Sequence, residues 1–380
     1  MVTKIFKDFI HSERSGGFLL IGCTLISLII SNSSFASNYL SFWTMPLGSM
    51  SIGHWINDGL MTIFFLLVGL ELERELFIGE LSDWKNAILP VTAAVGGMLV
   101  PASIFFLMNE GSVFERGYGI PMATDIAFSL TILTLFSNRV PHGLRIFLTA
   151  LAIADDLGAI VIIAVFYSGD ISLMYLGAAI GLFGIMYLMG RLKLYVLWPY
   201  LIGGVAMWYC MHHSGIHATI SGVLLAFAIP FGKGDGGISH KLQHYLHIPV
   251  AFVILPLFAL ANTCISLEGL SMNDIQNTGF WGVLAGLVLG KPLGIVLFSM
   301  FSVWWLGSNF PSGVKLSHII GAGIVAGIGF TMSVFITELA FTNHLMILQM
   351  KLSILFGALI SSLLGIAWFL IFVPKNSLEE

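Results

Sequence analysis

Charge is what this sequence has least of. Asp, Glu, Lys and Arg make up 9% of its 380 residues, against 57% hydrophobic residues and a mean hydropathy of +0.95. A soluble domain carries roughly 25% charged residues. Sixteen Lys+Arg and twenty Asp+Glu cannot solvate the outside of a soluble 41.3 kDa protein, so its surface must face lipid. No nucleic-acid partner is expected. Cysteine is also scarce. Cys23, Cys210 and Cys264 lie far apart with no CxxC or Cys/His ligand spacing, which implies free core thiols and neither a redox nor a metal role. Long polar linkers are missing too, and residues 1–380 read as one integral membrane domain with no cofactor. Lys4, Lys7 and Arg14 precede an apolar run from Phe18 to Ile30 that superficially resembles a signal peptide. The many apolar segments after it favour an uncleaved first span.

What is plentiful is apolar sequence with small residues: thirty Phe, forty-two Gly and seventeen Met suit closely packed transmembrane helices. A helix needs about 20 mainly apolar residues to cross a bilayer. Twelve such stretches centre near Leu25, Phe65, Gly97, Phe128, Ala154, Leu182, Gly203, Leu224, Leu257, Leu289, Ile328 and Leu363. The expected fold is an all-α polytopic membrane protein of about twelve helices. With the N-terminus cytoplasmic, all Lys and Arg except Arg116, Lys351 and the in-span Lys291 fall on the cytoplasmic side. Both termini are therefore expected inside.

The fourth and eleventh spans are interrupted alike. The fourth contains Gly117, Gly119 and Pro121 ahead of Thr124 and Asp125; the eleventh contains Gly321, Gly323, Gly327 and Gly329 ahead of Thr331. Proline removes a helix hydrogen bond and glycine weakens the helix. Irregular backbone at membrane depth persists only where protein or a water-filled cavity satisfies it. A matched pair of broken spans points to a transporter site between inverted repeats.

Charge enters the same region. Asp125 follows the first break, Asp155 and Asp156 sit mid-way along the fifth span, and Lys291 lies in the tenth. Each ionisable residue at bilayer centre costs about 2.5–3.5 kcal/mol. A buried ion pair accounts for Lys291 and one aspartate. It cannot account for three carboxylates, whose surplus charge must take up a cation or a proton. Adjacent helical residues point about 100° apart, so one of Asp155 and Asp156 lines a cation site while the other pairs with Lys291. Carboxylates with Thr124 and backbone carbonyls suit a hard cation such as Na+ or Li+. Competition between that cation and protons for the same oxygens gives exchange, if the protein changes facing only when the site is occupied.

ATDIAF (Ala123 to Phe128), ALAIADDLGAI (Ala150 to Ile160), SGIHATISG (Ser214 to Gly222), GKPLGI (Gly290 to Ile295) and GIGFTMS (Gly327 to Ser333) resemble the NhaA family of bacterial sodium/proton antiporters. FFLLVGLELEREL (Phe64 to Leu76) and ILPLFALAN (Ile254 to Asn262) are similar as well, so the resemblance covers nearly the whole chain. It implies that spans four and eleven cross near mid-membrane. It places Asp155 and Asp156 at the cation and proton site, pairs Lys291 with Asp155, and has Asp125 offset the positive ends of the broken helices beside Thr124. It implies electrogenic exchange that switches on at alkaline pH, in a homodimer of the bacterial inner membrane, by a secondary transporter rather than an enzyme. A pH-responsive cluster is implied at Glu71, Arg74, Glu75, Lys85, His217, His244 and His247. Gln243 departs from the pattern, standing where the family has glutamate, and leaves Arg74 short of one partner.

Plainer readings stand beside these. Glu71, Glu73 and Glu75 also fit a solvated helix end. His240, His244 and His247 fit an ordinary interfacial helix face or, less well, a metal site, and Asp58 an interfacial position. The segment from Trp43 to Trp55 resembles the hairpin that joins NhaA dimers, although its periodicity does not establish a strand. A sodium-coupled solute symporter and an intramembrane aspartyl protease remain as alternatives. The symporter would need room for an organic substrate. The protease would need two aspartates sharing a proton, which Lys291 would disturb.

Overall fold

The computed structural model describes residues 13–232, 237–268 and 276–374. Lys4, Lys7, Lys233 and Lys375, four of the cations used to orient the chain, lie outside these residues. The chain is helical almost throughout. In order it forms α1 (Glu13–Ser31), α2 (Ala36–Thr44), α3 (Ile52–Phe77), α4 (Trp84–Asn109), a 3₁₀ helix (Glu115–Met122), α5 (Ile126–Leu135), α6 (His142–Phe166) and α7 (Leu173–Arg191). Then come α8 (Leu197–Ser214), α9 (Ile220–Ala228), α10 (Ile238–Asn262), α11 (Thr278–Trp305), α12 (Leu316–Ala326), α13 (Phe330–Ala340) and α14 (His344–Phe372).

Among the described residues, eight helical stretches are long and apolar enough to cross a membrane, and ten if the bent pairs α1–α2 and α12–α13 each count as one span. The two other expected spans, around Gly203 and Leu224, correspond to the shorter helices α8 and α9. Between α2 and α3 the chain makes a two-stranded antiparallel hairpin, β1 (Pro46–Leu47) and β2 (Met50–Ser51), pairing Pro46 with Ser51 and Leu47 with Met50. Gly48 opens its two-residue turn at φ +71°, a left-handed conformation that favours glycine there.

The chain divides into two compact units, residues 1–22, 80–159 and 265–380 in the first and residues 23–79 and 160–264 in the second. In the second, α3, α7, α8, α9 and α10 bury a core that includes Leu66, Leu70, Met186, Tyr200, Met207, Leu225 and Ala226. Gly69 and Gly222 let α3 and α9 approach closely. A Cβ on Gly69 would lie 2.7 Å from the Ala226 methyl, and one on Gly222 would lie 2.2 Å from the Thr62 carbonyl oxygen.

In the first unit the same device joins α4 to α11, where Gly96 and Gly294 face each other's backbone. Gly282, Gly286, Gly290 and Gly294 all meet α4 or the 3₁₀ helix, at a spacing of four. A regular α-helix drifts about 40° per four residues, so three such steps would carry the last glycine roughly 120° off the face. A π-helical turn at Gly286–Gly290 inserts one extra residue and cancels most of that drift. The contact is unforgiving. A Cβ on Gly294 would sit 2.1 Å from the Gly96 carbonyl oxygen, whereas one on Gly177 of α7 would meet nothing within 4 Å. Gly294→Val is therefore expected to lower stability by about 1–3 kcal/mol or more. Gly177→Ala should be neutral or stabilise by up to about 1 kcal/mol. Thermal unfolding of the two variants in detergent checks the contrast.

Candidate ion-binding site

The two breaks predicted from sequence are present in the first unit, and they meet. Gly117, Gly119 and Pro121 fall inside the 3₁₀ helix, and the interruption proper is Ala123–Thr124–Asp125, with Ala123 and Asp125 extended. The glycines and proline thus tighten the approach, and the chain opens just after them. In the eleventh span α12 ends at Ala326, α13 starts at Phe330, and the axis bends by 44°. Polar groups freed at one break are taken up by the other. The Asp125 amide donates to the Ile328 carbonyl at 2.7 Å, Ser129 Oγ to the Val325 carbonyl at 3.1 Å, and Ser333 Oγ to the Ile120 carbonyl at 2.6 Å. This mutual satisfaction is what irregular backbone at membrane depth requires.

Charged side chains complete it with the signs that helix dipoles demand. Asp125 caps two helix N-termini at once. One carboxylate oxygen accepts from the Phe128 amide of α5 at 2.9 Å. The other accepts from the Thr331 amide of α13 at 3.0 Å and from Thr331 Oγ1 at 2.6 Å. At the opposite pole, the ammonium of Lys291 donates to the Met122 carbonyl at the C-terminal end of the 3₁₀ helix. Asp125→Ala removes both caps and is expected to cost about 2 kcal/mol, from roughly 1 kcal/mol per cap. Asp125→Asn keeps an acceptor and should cost less. Melting temperatures of the two variants test that order.

Lys291 also pairs with Asp155, at 2.6 Å between Nζ and Oδ2, and the same oxygen accepts from Thr124 Oγ1 at 2.8 Å. The lysine stem passes over Gly97, where a Cβ would lie 3.8 Å from Lys291 Cε. Asp155 Oδ1 is buried and accepts no hydrogen bond among the described residues. Asp156, one residue further round α6, lies within Coulombic reach of the same ammonium. Exposure is 2% for Asp125, 0% for Asp155, 1% for Asp156 and 0% for Lys291. One ammonium therefore stands against three carboxylates in a space closed to water. Asp155, Asp156 and Thr124 bring oxygen atoms to this stretch of the bundle, the donor type that hard monovalent cations take.

The sequence profile of the family described as Na+/H+ antiporter 1 matches residues 7–369. The chain belongs to the Na+/H+ antiporter 1 family. Proteins called Na(+)/H(+) antiporter NhaA are similar to it from end to end. That of Flavobacterium psychrophilum is 55% identical over 381 residues, covering 100% of this chain and 99% of the relative. That of Cytophaga hutchinsonii is 53% identical over 380 residues, covering 100% and 97%. That of Dechloromonas aromatica is 50% identical over 381 residues, covering 99% and 98%. An NhaA-family chain is a secondary transporter, not an enzyme, and the match runs through both compact units.

The residues implied in the pH response of NhaA antiporters are more scattered. Arg74 forms an ion pair with its neighbour Glu75 at 2.9 Å, and Gln243 hydrogen-bonds the Glu71 carboxylate. The departure at Gln243 thus leaves a neutral partner for Glu71, while Arg74 finds its anion within its own helix. The solvated reading of this helix end fails at two positions. Glu73 is 4% exposed and accepts from Ser239 Oγ at 2.7 Å, and Glu75 is 9% exposed. His217 is bonded through Nε2 to the Tyr167 carbonyl at 2.8 Å. His244 and His247 are exposed on α10, and His240 is half-buried. No three His, Cys, Asp or Glu side chains converge as a metal cage among the described residues. Lys85 is exposed in the first turn of α4, in the first unit, whereas the other six candidates belong to the second.

Two charge partnerships escaped the sequence. Lys351, placed in an outer loop by the hydropathy reading, lies buried in α14 and pairs with Glu338 of α13 at 2.5 Å. Asp58 faces His212 of α8 at 3.7 Å. No local pattern announces either, since each joins positions from separate helices. The four-residue glycine spacing of α11 did carry a readable signal for its close packing on α4.

Proposed function

We propose that the chain exchanges Na+ or Li+ for protons by alternating access, with cation and proton competing for Asp155 and Asp156. The observation that carries this is the charge balance of the closed site, three buried carboxylates against one ammonium. The surplus has to be neutralised by a proton or a cation, and a transporter that reorients only when neutralised couples the two. Thr124 and the broken-span backbone supply further oxygens, Asp125 holds the two broken helices against each other, and Lys291 balances Asp155. Family membership supports exchange that moves more protons than sodium ions and rises at alkaline pH. Glu71, Arg74, Glu75, Lys85, His217, His244 and His247 would adjust that response. The hairpin β1–β2, whose first strand is exposed, supports pairing of two copies, and the Lys/Arg distribution supports cytoplasmic termini in a bacterial inner membrane.

The test is sodium-induced collapse of a respiration-generated pH gradient in everted vesicles, scanned from about pH 6.5 to 8.5, the range spanning histidine titration and its alkaline side. A collapse that grows with pH and responds to Na+ or Li+ without any organic solute is the expected result. No response to either cation, from protein shown to be present, would overturn antiport. Dependence on a co-transported solute would favour symport.

A further inference from the structure

A cavity of about 380 Å³ opens in the first unit where the 3₁₀ helix begins, lined by Phe106, Ser112, Val113, Glu115, Arg116 and Tyr118. Its size falls within the roughly 300–1,000 Å³ of pockets that take small molecules. None of its lining residues belongs to the ion site described above. Three features define what it fits. It holds one carboxylate and one guanidinium from consecutive residues, so its two charged walls ask for a ligand carrying both signs. Ser112 is held within its own turn, its hydroxyl accepting from the Phe114 amide and donating to Asn109, which leaves Glu115 and Arg116 as the groups that set the ligand's charge. Its remaining walls are apolar and open, with Val113 75% exposed and Phe106 39% exposed.

Phe106 also continues a stripe of exposed apolar residues on α4, Val91, Val95 and Leu99, which leads along the helix to the cavity mouth. Leu99 to Phe106 spans about 10 Å at 1.5 Å per residue, and Val91 to Phe106 about 22 Å, against a leaflet core of roughly 15 Å. A molecule with a charged head in the cavity and an acyl chain along this stripe would be matched at both ends.

We propose that the cavity binds the headgroup of a zwitterionic aminophospholipid, with its phosphate toward Arg116 and its primary ammonium toward Glu115. Guanidinium and phosphate form charge-assisted, often bidentate hydrogen bonds. A carboxylate accepts hydrogen bonds from a primary ammonium but not from a quaternary one, which has no N–H. The site therefore selects phosphatidylethanolamine over phosphatidylcholine, and disfavours phosphatidylglycerol, whose head offers Glu115 no cation.

Native mass spectrometry of the purified full-length protein, titrated with dioleoyl phosphatidylethanolamine, phosphatidylcholine or phosphatidylglycerol, tests this directly. Wild type is expected to retain phosphatidylethanolamine about tenfold better than the other two, the scale of one hydrogen bond to a charged group. Glu115→Ala should erase the discrimination while keeping phospholipid binding. Arg116→Ala should weaken all three lipids, and Arg116→Lys should restore much of the binding. Soluble phosphoethanolamine at matched concentration should not displace the lipid, because it has no acyl chain for the α4 stripe. Equal retention of the three lipids by wild type, unchanged selectivity in Glu115→Ala, unchanged binding in Arg116→Ala, or displacement by soluble phosphoethanolamine would each overturn the proposal. Should a variant fail to fold, the wild-type ranking of the three lipids decides alone.

Discussion

Asp156→Asn is expected to abolish sodium-dependent proton movement, lowering it by roughly 10²-fold or more, the scale on which loss of a proton-transfer group acts. The amide is nearly isosteric with the carboxylate and packs in the same buried place on α6. It cannot ionise, so it neither releases a proton nor attracts a sodium ion. The change also removes one of the three negative charges that make the site electrostatically incomplete, so folding should not suffer and insertion and melting temperature should stay near wild type. Everted vesicles carrying equal amounts of both proteins provide the measurement. Retained sodium-dependent collapse of the pH gradient would remove Asp156 from the transport site.

Lys291→Met should act in the opposite sense, on stability before transport. Its ammonium is fully buried and serves Asp155 Oδ2 and the Met122 carbonyl together. Removing one partner of a buried pair strands the other charge and typically costs about 3–5 kcal/mol. The double variant Lys291→Met with Asp155→Asn leaves no stranded charge at that pair and should recover much of the loss. Such recovery is the signature of direct coupling, since independent sites would add. Thermal unfolding of the two single variants and the double variant in one detergent gives the cycle. A Lys291→Met protein that melts with wild type would rule out a structural role for the pair.

The two changes separate functions that sequence alone assigns jointly. From the order of residues alone, either aspartate of the consecutive pair could face the lysine, and the family resemblance names Asp155. Residues about 100° apart on a helix cannot share one partner symmetrically, but which of them turns toward α11 depends on where α11 lies. The structure gives that place to Asp155, with Thr124 on the same oxygen. Asp125 illustrates the same limit. Its position after Gly117, Gly119 and Pro121 puts it at the first break, and the family resemblance sets it against the positive ends of the broken helices. That one carboxylate caps both α5 and α13, which start more than two hundred residues apart, comes from the meeting of two breaks.

The membrane class, the helical composition, the two interrupted spans and the identity of the buried charges were all legible in the order of residues. Each of these follows from local physics. Lipid demands apolar runs of a given length, proline and glycine break helices where they stand, and a charge in an apolar run is costly wherever the run packs. The Asp155–Lys291 pair that the family resemblance implied is present, while other pairings came only from the tertiary structure: Asp125 with Thr331, Glu338 with Lys351, Gln243 with Glu71, and the burial of Glu73 and Glu75 at what composition presents as a polar helix end. A pairing between distant segments depends on helix rotation and on how closely two backbones approach. In α11 that approach is set by four glycines and one extra residue in a π-turn, a displacement of about 100° that no local pattern of charge could reveal.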